Sequence, residues 1–362
     1  MPIGPSDLQT RLPNPLDPLW IVAFLLHAII DSMNQLHNKV QAIRRTGGLF
    51  ENFSRGLLAI RGKDGARFLH NVLTHDIKGL LPGQGCMACL LDRQGKIRFL
   101  CLVHARPEGL LLEMDPAHLS VARQELERYI VSEAIEFEEV TDRYRIISLH
   151  GPLIPELLTK AFPSFQLPSQ PFQHVSGPAN SGIHLILLWN LFGIPGFHLW
   201  IDPTQETPIR QQLLTAGQPI GLESVGQETF DLLRIESGIP WPGAEIDETV
   251  ILNELNREEL VSFTKGCFVG QEIVARIKYR AHPPRLLKGF LLQGTQTPEG
   301  RPSILLDSKP VGTITSCCFS PTLNRVIALG FLNFGVEVKE VLVQTAEGVV
   351  PATVTSLPFV TD

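Results

Sequence analysis

The run Lys265-Gly266-Cys267-Phe268-Val269-Gly270-Gln271-Glu272 sets one cysteine between two glycines, two residues after a lysine and close to an amide and a carboxylate. Cysteine chemistry runs through the thiolate. An ammonium two positions earlier falls on the cysteine's side of an extended backbone, where it lowers the thiol pKa and holds the group reactive. Gly266 and Gly270 permit unusual backbone angles and close approach of a ligand. The pattern also fits a structural cysteine in a glycine-bordered turn, since free cysteine is among the most buried residue types. Downstream, from Ile273 to Pro298, there is no Asp or Glu, while Arg276, Lys278, Arg280, Arg285 and Lys288 supply five cations. Such a local field suits an anionic ligand group, and a solvated basic strand edge is the competing account.

Other reactive residues carry less. Cys86-x-x-Cys89 has redox or metal spacing but sits in an apolar run without a second pair, and a closed metal site wants four ligands. Adjacent Cys317 and Cys318 serve one ion poorly, so no metal site is expected. Gly-x-Ser-x-Gly, a phosphate-binding glycine loop and His-Glu-x-x-His are absent, which leaves hydrolase, nucleotide-hydrolysis and zinc-protease readings unsupported.

The elements that must position these groups belong to a chain of 362 residues, 44% hydrophobic and 19% charged, long enough for two or three domains. The net charge of −6 argues against nucleic acid or an anionic membrane surface as partner. Six irregularly spaced cysteines make no disulfide framework and fit a reducing, cytoplasmic setting. Leu19 to Ile30 is almost wholly apolar but too short to span a bilayer, and reads as a packed or partner-binding helix. A second helix is predicted over Asp31 to Arg45, with Met33, Leu36, Val40 and Ile43 on one face.

From Gly56 the chain becomes regular. A strand over Leu57–Ile60 leads to a helix that Asp64 is placed to cap, with Phe68, Leu69, Val72 and Leu73 as its buried stripe. Strands over Cys86–Leu91 and Ile97–His104 flank Asp92-Arg93-Gln94-Gly95, a hairpin turn in which Gly95 supplies a positive φ. Asp115-Pro116 opens a helix running to about Ile130. Strands over 145–149, 183–189 and 197–201 alternate with helices, the last from about Ser224 to Ser237, and Ala161–Gly182 reads as a loop. After Arg285 short strand-like runs at 286–292, 309–318, 325–332, 336–343 and 349–355 indicate a small β-barrel.

The octapeptide at 265–272 resembles the signature of the YgfZ family, folate-binding relatives of the glycine-cleavage T-protein that act in iron–sulfur cluster assembly and repair. The likeness runs from about Gly47 to the C-terminus. It takes in Lys63-Asp64-Gly65-Ala66-Arg67-Phe68-Leu69, Thr74-His75-Asp76 where the usual segment is Thr-Asn-Asp, Arg234-Ile235-Glu236-Ser237-Gly238, and Val311-Gly312-Thr313. The resemblance implies an α+β, three-domain arrangement around a central folate cavity with a C-terminal β-barrel. Its expected boundaries are a leader at 1–46, folded units at 47–140 and 141–284, and the barrel at 285–362. It implies tetrahydrofolate as ligand, iron–sulfur proteins or their assembly machinery as partners, and Cys267 with Lys265 as reactive pair, working by thiol exchange or transient ligation. Glu236, Arg234, Asp76, Gln271, Glu272 and Arg276 become the candidate folate-binding residues, with Glu236 facing the amino-pyrimidine edge that a carboxylate pairs with well.

Two alternatives stay open. T-protein aminomethyl transfer wants an acidic residue near the start of the second long strand, and Gly95-Lys96-Ile97-Arg98-Phe99-Leu100 has none, which argues against that activity; Asp92 is the nearest substitute. The other is a non-catalytic folate-binding adaptor.

Overall fold

The computed structural model describes residues 35–51, 53–178 and 180–361. The apolar segment at 19–30 and Met33 lie outside the described residues. Helix α1 covers 35–45 and buries Val40 and Ile43 completely.

The first sheet has the order β3-β4-β5-β2-β6, every pairing antiparallel: β2 (Gly56–Arg61), β3 (Gly85–Leu91), β4 (Ile97–Arg106), β5 (Gly109–Met114) and β6 (Glu136–Glu139). Alternation along a strand gives the sheet two working faces. Phe99, Cys101 and Val103 of β4 join Phe68, Leu69 and Val72 of α2 (Gly65–Val72) and Leu126 of α3 (Leu119–Glu127) in one core. Leu57, Leu102 and Leu111 turn to the opposite core.

That opposite core is shared with a second sheet, of order β11-β1-β7-β10-β9-β8: β1 (Gly48–Phe50), β7 (Arg145–His150), β8 (His174–Ser176), β9 (Ile183–Leu188), β10 (Gly196–Ile201) and β11 (Glu223–Val225). Phe50, Leu185, Leu187 and Trp200 meet the first sheet, while Leu49, Ile147, Leu149 and Leu199 pack under α4 (Ile154–Ala161) and α5 (Glu206–Gly217). β1 belongs to this sheet although it precedes β2 in the chain, pairing with β7 and, in parallel, with β11.

Helix α6 (Gln227–Glu236) and α7 (Gln271–Arg280) lead to a closed six-stranded barrel, β12-β15-β14-β13-β16-β17, formed by β12 (Arg285–Leu292), β13 (Ser303–Leu306), β14 (Lys309–Ser320), β15 (Arg325–Asn333), β16 (Glu340–Thr345) and β17 (Gly348–Thr355). The barrel fills its interior with Phe290, Ile304, Ile314, Val326 and Val343. A further cluster joins its Leu287, Leu329 and Phe331 to Leu91 and Ile97 of the first sheet and to Phe268 and Val274. The expected α+β architecture with a terminal barrel is thus present.

Local expectations were met unevenly. Gly95 has φ 78° in the β3–β4 turn, and Asp115 caps the turn at Pro116 by accepting from Ala117 N at 2.9 Å. Asp64 does not cap α2. Its carboxylate takes Arg67 and the Ala134 amide instead, tying the helix start to the segment before β6. The helix expected from Ser224 begins only at Gln227 because 223–225 pairs with β1, and the loop predicted over 161–182 contains β8. Among the described residues no helix is long and apolar enough to cross a membrane.

Candidate functional site

The 265–272 loop closes over the end of α2. Lys265 Nζ donates to Leu73 O at 2.6 Å, to His75 O at 3.1 Å and to His70 O. Carbonyls at a helix C-terminus lack intrahelical partners and carry the negative end of the macrodipole, so a cation settles there. Burial pushes the lysine pKa down to about 8, against the opposing pull of the Asp76 carboxylate. The ammonium therefore holds backbone carbonyls, which is a different task from activating Cys267. Cys267 itself is exposed. Asp76 accepts from Gly79 N at 3.0 Å and meets His70 Nδ1 at 3.1 Å, contacts that hold its carboxyl below the usual range. Gln271 and Glu272 open α7 after Gly270, whose φ is 81°, and Arg276 lies on the exposed side of that helix.

Arg234 and Glu236 lie elsewhere, on the seam between α6 and the barrel. Glu236 is completely buried; it pairs with Arg44 at 2.9 Å and accepts from Ser320 Oγ at 2.5 Å and Thr322 Oγ1 at 3.2 Å. Arg234 donates to Asp231 at 2.8 Å, Glu245 at 3.0 Å and Ser316 at 2.9 Å. The fold brings Lys265 and Asp76 together at the end of α2, and Arg234 and Glu236 together at the seam; the two groups remain separate.

A separate cavity of about 240 Å³ lies where both sheets meet the 239–260 segment. None of the candidate catalytic or folate-binding residues named from the sequence lines it. Its walls are Met87, Leu100 and Leu102 of the first sheet, Trp189 and Leu191 beside the second, Phe172, and the run Ile239-Pro240-Trp241-Pro242. Polar groups enter at Arg55, Asn190, Asp115, Arg257 and Glu259. Flat apolar walls with a few convergent polar groups define a small-molecule site. A second hollow of about 520 Å³ shares Leu100, Pro242 and Ile246 with it and continues toward Arg98 and His118.

The acids are informative. β4 presents Leu100 and Leu102 to the cavity, so that strand offers no carboxylate there, as its sequence indicated. Asp92 is spent on the turn, accepting Gln94 N at 2.8 Å and Lys96 N at 2.9 Å. Asp115 instead reaches the cavity from the end of β5; one oxygen caps Ala117 N and the other has no hydrogen-bond partner among the described residues. Its sequence setting, Asp115-Pro116, signals only the cap. Arg55, Trp189 and Trp241 carried no motif, and the Pro-Trp-Pro run after Gly238 was the one visible signal.

A cavity enclosed by two facing sheets and a barrel-linked segment defines a ligand-binding α+β protein. The chain belongs to the glycine-cleavage T-protein family: residues 28–265 match the GCVT N-terminal domain and residues 285–361 the glycine cleavage T-protein C-terminal barrel domain. It is 28% identical over 323 residues to an aminomethyltransferase of Rubrobacter xylanophilus, covering 88% of this chain and 84% of that protein. It is 25% identical over 315 residues to an aminomethyltransferase of Caldanaerobacter subterraneus subsp. tengcongensis, covering 86% and 84%. The crystal structure of glycine cleavage system aminomethyltransferase T from Bartonella henselae superposes with a TM-score of 0.79 at 21% identity, covering 90% and 89% of the two chains, a likeness of fold.

These findings correct two expectations. The function expected from the octapeptide, folate-linked support of iron–sulfur assembly through a reactive cysteine, gives way to the aminomethyltransferase reading, because relatives matched over most of their length carry that name. The lack of an acid on β4 concerns a single strand position. A cavity collects groups from several elements, and this one holds Asp115 from the end of β5 in place of a β4 carboxylate.

Proposed function

We propose that this chain is a tetrahydrofolate-dependent aminomethyltransferase of the glycine-cleavage class, with the cavity between the sheets as its site. The observation that carries this reading is the cavity itself: aromatic and aliphatic walls suited to a flat heterocycle, with Asp115 at its edge, in a chain matched over most of its length by aminomethyltransferases. Its volume lies below the roughly 300–1,000 Å³ of sites that enclose whole drug-sized ligands. It suits the pterin and the reacting nitrogen, and leaves the rest of the ligand to the adjoining hollow, which is lined by Arg98 and His118 and also by Asp247 and Glu248.

Tetrahydrofolate supplies the acceptor nitrogen for the one-carbon unit. The chain's own residues exclude water, through Trp189, Trp241, Leu100 and Leu102, and hold a proton acceptor, Asp115, near the reacting atoms. A carboxylate placed so takes the proton that the folate nitrogen loses as its bond to the transferred carbon forms, while the bond from that carbon to its carrier breaks and the carrier departs with the electron pair. The 265–272 run supports kinship with the YgfZ branch of the family. The six unpaired thiols support a reducing, cytoplasmic setting.

The test is to supply the purified chain with the other glycine-cleavage proteins and follow methylene-tetrahydrofolate. Product is expected from the wild type, with kcat lowered roughly a hundredfold in Asp115→Asn, the scale of a lost acid–base group. A wild type that forms no product refutes the reading.

A further inference from the structure

The cavity contains one polar group whose setting is unusually elaborate. Arg55 stands just before β2 and is nine-tenths buried, yet it lines the cavity. Its Cζ lies 5.8 Å from the Phe53 ring centroid, 5.7 Å from that of Trp189 and 5.8 Å from that of Trp241, within reach of cation–π attraction to all three. Its Nε donates to Glu113 Oε1 at 3.0 Å. The two terminal amino groups make no hydrogen bond to protein among the described residues. Both amino groups keep accessible surface on the cavity side, so they stand as free donors that an acceptor entering the cavity can take in exchange for water.

Glu113 is held just as firmly. It is completely buried on β5, between Leu57 and Leu102 of the neighbouring strands. Its Oε2 lies 3.0 Å from His104 Nε2, while His198 Nδ1, from β10 of the facing sheet, stands 3.5 Å from Oε1, too long for a hydrogen bond. The His104 and His198 contacts and the Arg55 charge overcome burial and keep this carboxyl well below its usual range, hence ionised at neutral pH. Both sheets thus contribute to fixing one carboxylate, and that carboxylate orients one guanidinium along the cavity wall.

We propose that Arg55 is a folate-contacting residue, donating its terminal amino groups to an oxygen acceptor of the bound folate, and that Glu113 is its positioning residue. The proposal rests on the tetrahydrofolate reading of the cavity. A planar, doubly donating guanidinium suits a carbonyl or carboxylate oxygen, and a lysine reproduces neither its fork nor its stacking on the indoles.

Trp189 and Trp241 make binding measurable by quenching of intrinsic fluorescence. Titrations use tetrahydrofolate and 6-methyltetrahydropterin, which lacks the tail carboxylates, on wild type, Arg55→Lys, Arg55→Ala and the double variant Arg55→Ala/Glu113→Gln. The double variant removes the buried charge that Arg55→Ala alone would strand, so it folds even if the single variant does not. Loss of a charge-assisted bond predicts roughly a tenfold to hundredfold weaker Kd for tetrahydrofolate in the double variant and no full rescue in Arg55→Lys. Glu113→Gln alone, titrated alongside, keeps an acceptor for Nε but removes the counter-charge, so a several-fold weaker Kd for tetrahydrofolate is expected, and an unchanged Kd in this variant overturns the positioning role. A loss that extends to the pterin places the acceptor on the ring, and one confined to tetrahydrofolate places it on the tail; both support the role. A folded double variant that binds tetrahydrofolate as tightly as wild type overturns it while leaving the cavity reading intact. A wild type that binds neither compound overturns both.

Discussion

At the scale of single residues, the lysine two positions before Cys267 shows how a local pattern is redirected by a distant partner. Its ammonium joins the 265–272 loop to three carbonyls around the end of α2. Replacing Lys265 with Met leaves those carbonyls without their donor, and a loss of about 1–3 kcal/mol is expected in chemical denaturation. Cys267→Ala, on an exposed side chain, is expected to change stability by no more than about 0.5 kcal/mol. A Lys265→Met variant as stable as wild type would contradict the capping role. The octapeptide was legible as something special, but its sequence does not contain α2, and so it could not show where the charge goes. Arg55 was illegible for the same reason: its three aromatic neighbours are Phe53, Trp189 and Trp241, of which only the first is near in sequence.

Among the elements, those that carry their own local signal were legible and those defined by non-local pairing were not. The Asp92–Gly95 turn and the Asp115-Pro116 start are set by short-range hydrogen bonds that residue types reveal. β1, β8 and β13 span three, three and four residues and exist because partners from elsewhere pair with them. The join between the first sheet and α7 rests on a similar non-local fit. Gly270 has φ 81°, and a Cβ there would stand 2.5 Å from Asp92 O of the β3–β4 turn. Gly270→Ala therefore meets both backbone strain and a clash with main chain, and a loss of about 1–3 kcal/mol is expected. Unchanged denaturation midpoints would show that the loop has room to move away from the turn.

For the whole molecule, the core between the sheets contains imidazoles. Burial lowers the pKa values of His150 and His198, and brings that of His174 down to about 3. The folded state keeps these rings neutral while the unfolded chain takes up protons near pH 6.5. Below that pH the unfolded state binds more protons, so stability declines as acidity rises, by up to about 1.4 kcal/mol per pH unit for each such ring. The depressed Glu113 adds its own loss at still lower pH, once the unfolded carboxyl protonates. Melting temperatures should fall steeply from pH 6.5 to 5, and His174→Phe should flatten the curve; a flat profile in the wild type would mean that water reaches these rings. The overall architecture was legible because its barrel strands and alternating elements repeat local patterns. The cavity was not, since it is made of residues from 55 to 260 that meet only when two sheets face each other.

Whether tetrahydrofolate occupies this cavity is decided by a crystal structure of the complex. The pterin ring is expected against Trp189 and Trp241, with Asp115 beside its reacting nitrogen and Arg55 on an oxygen. Density for the ring at the Glu236 seam or along Arg276 and Lys278 of α7, with the cavity empty, would contradict it.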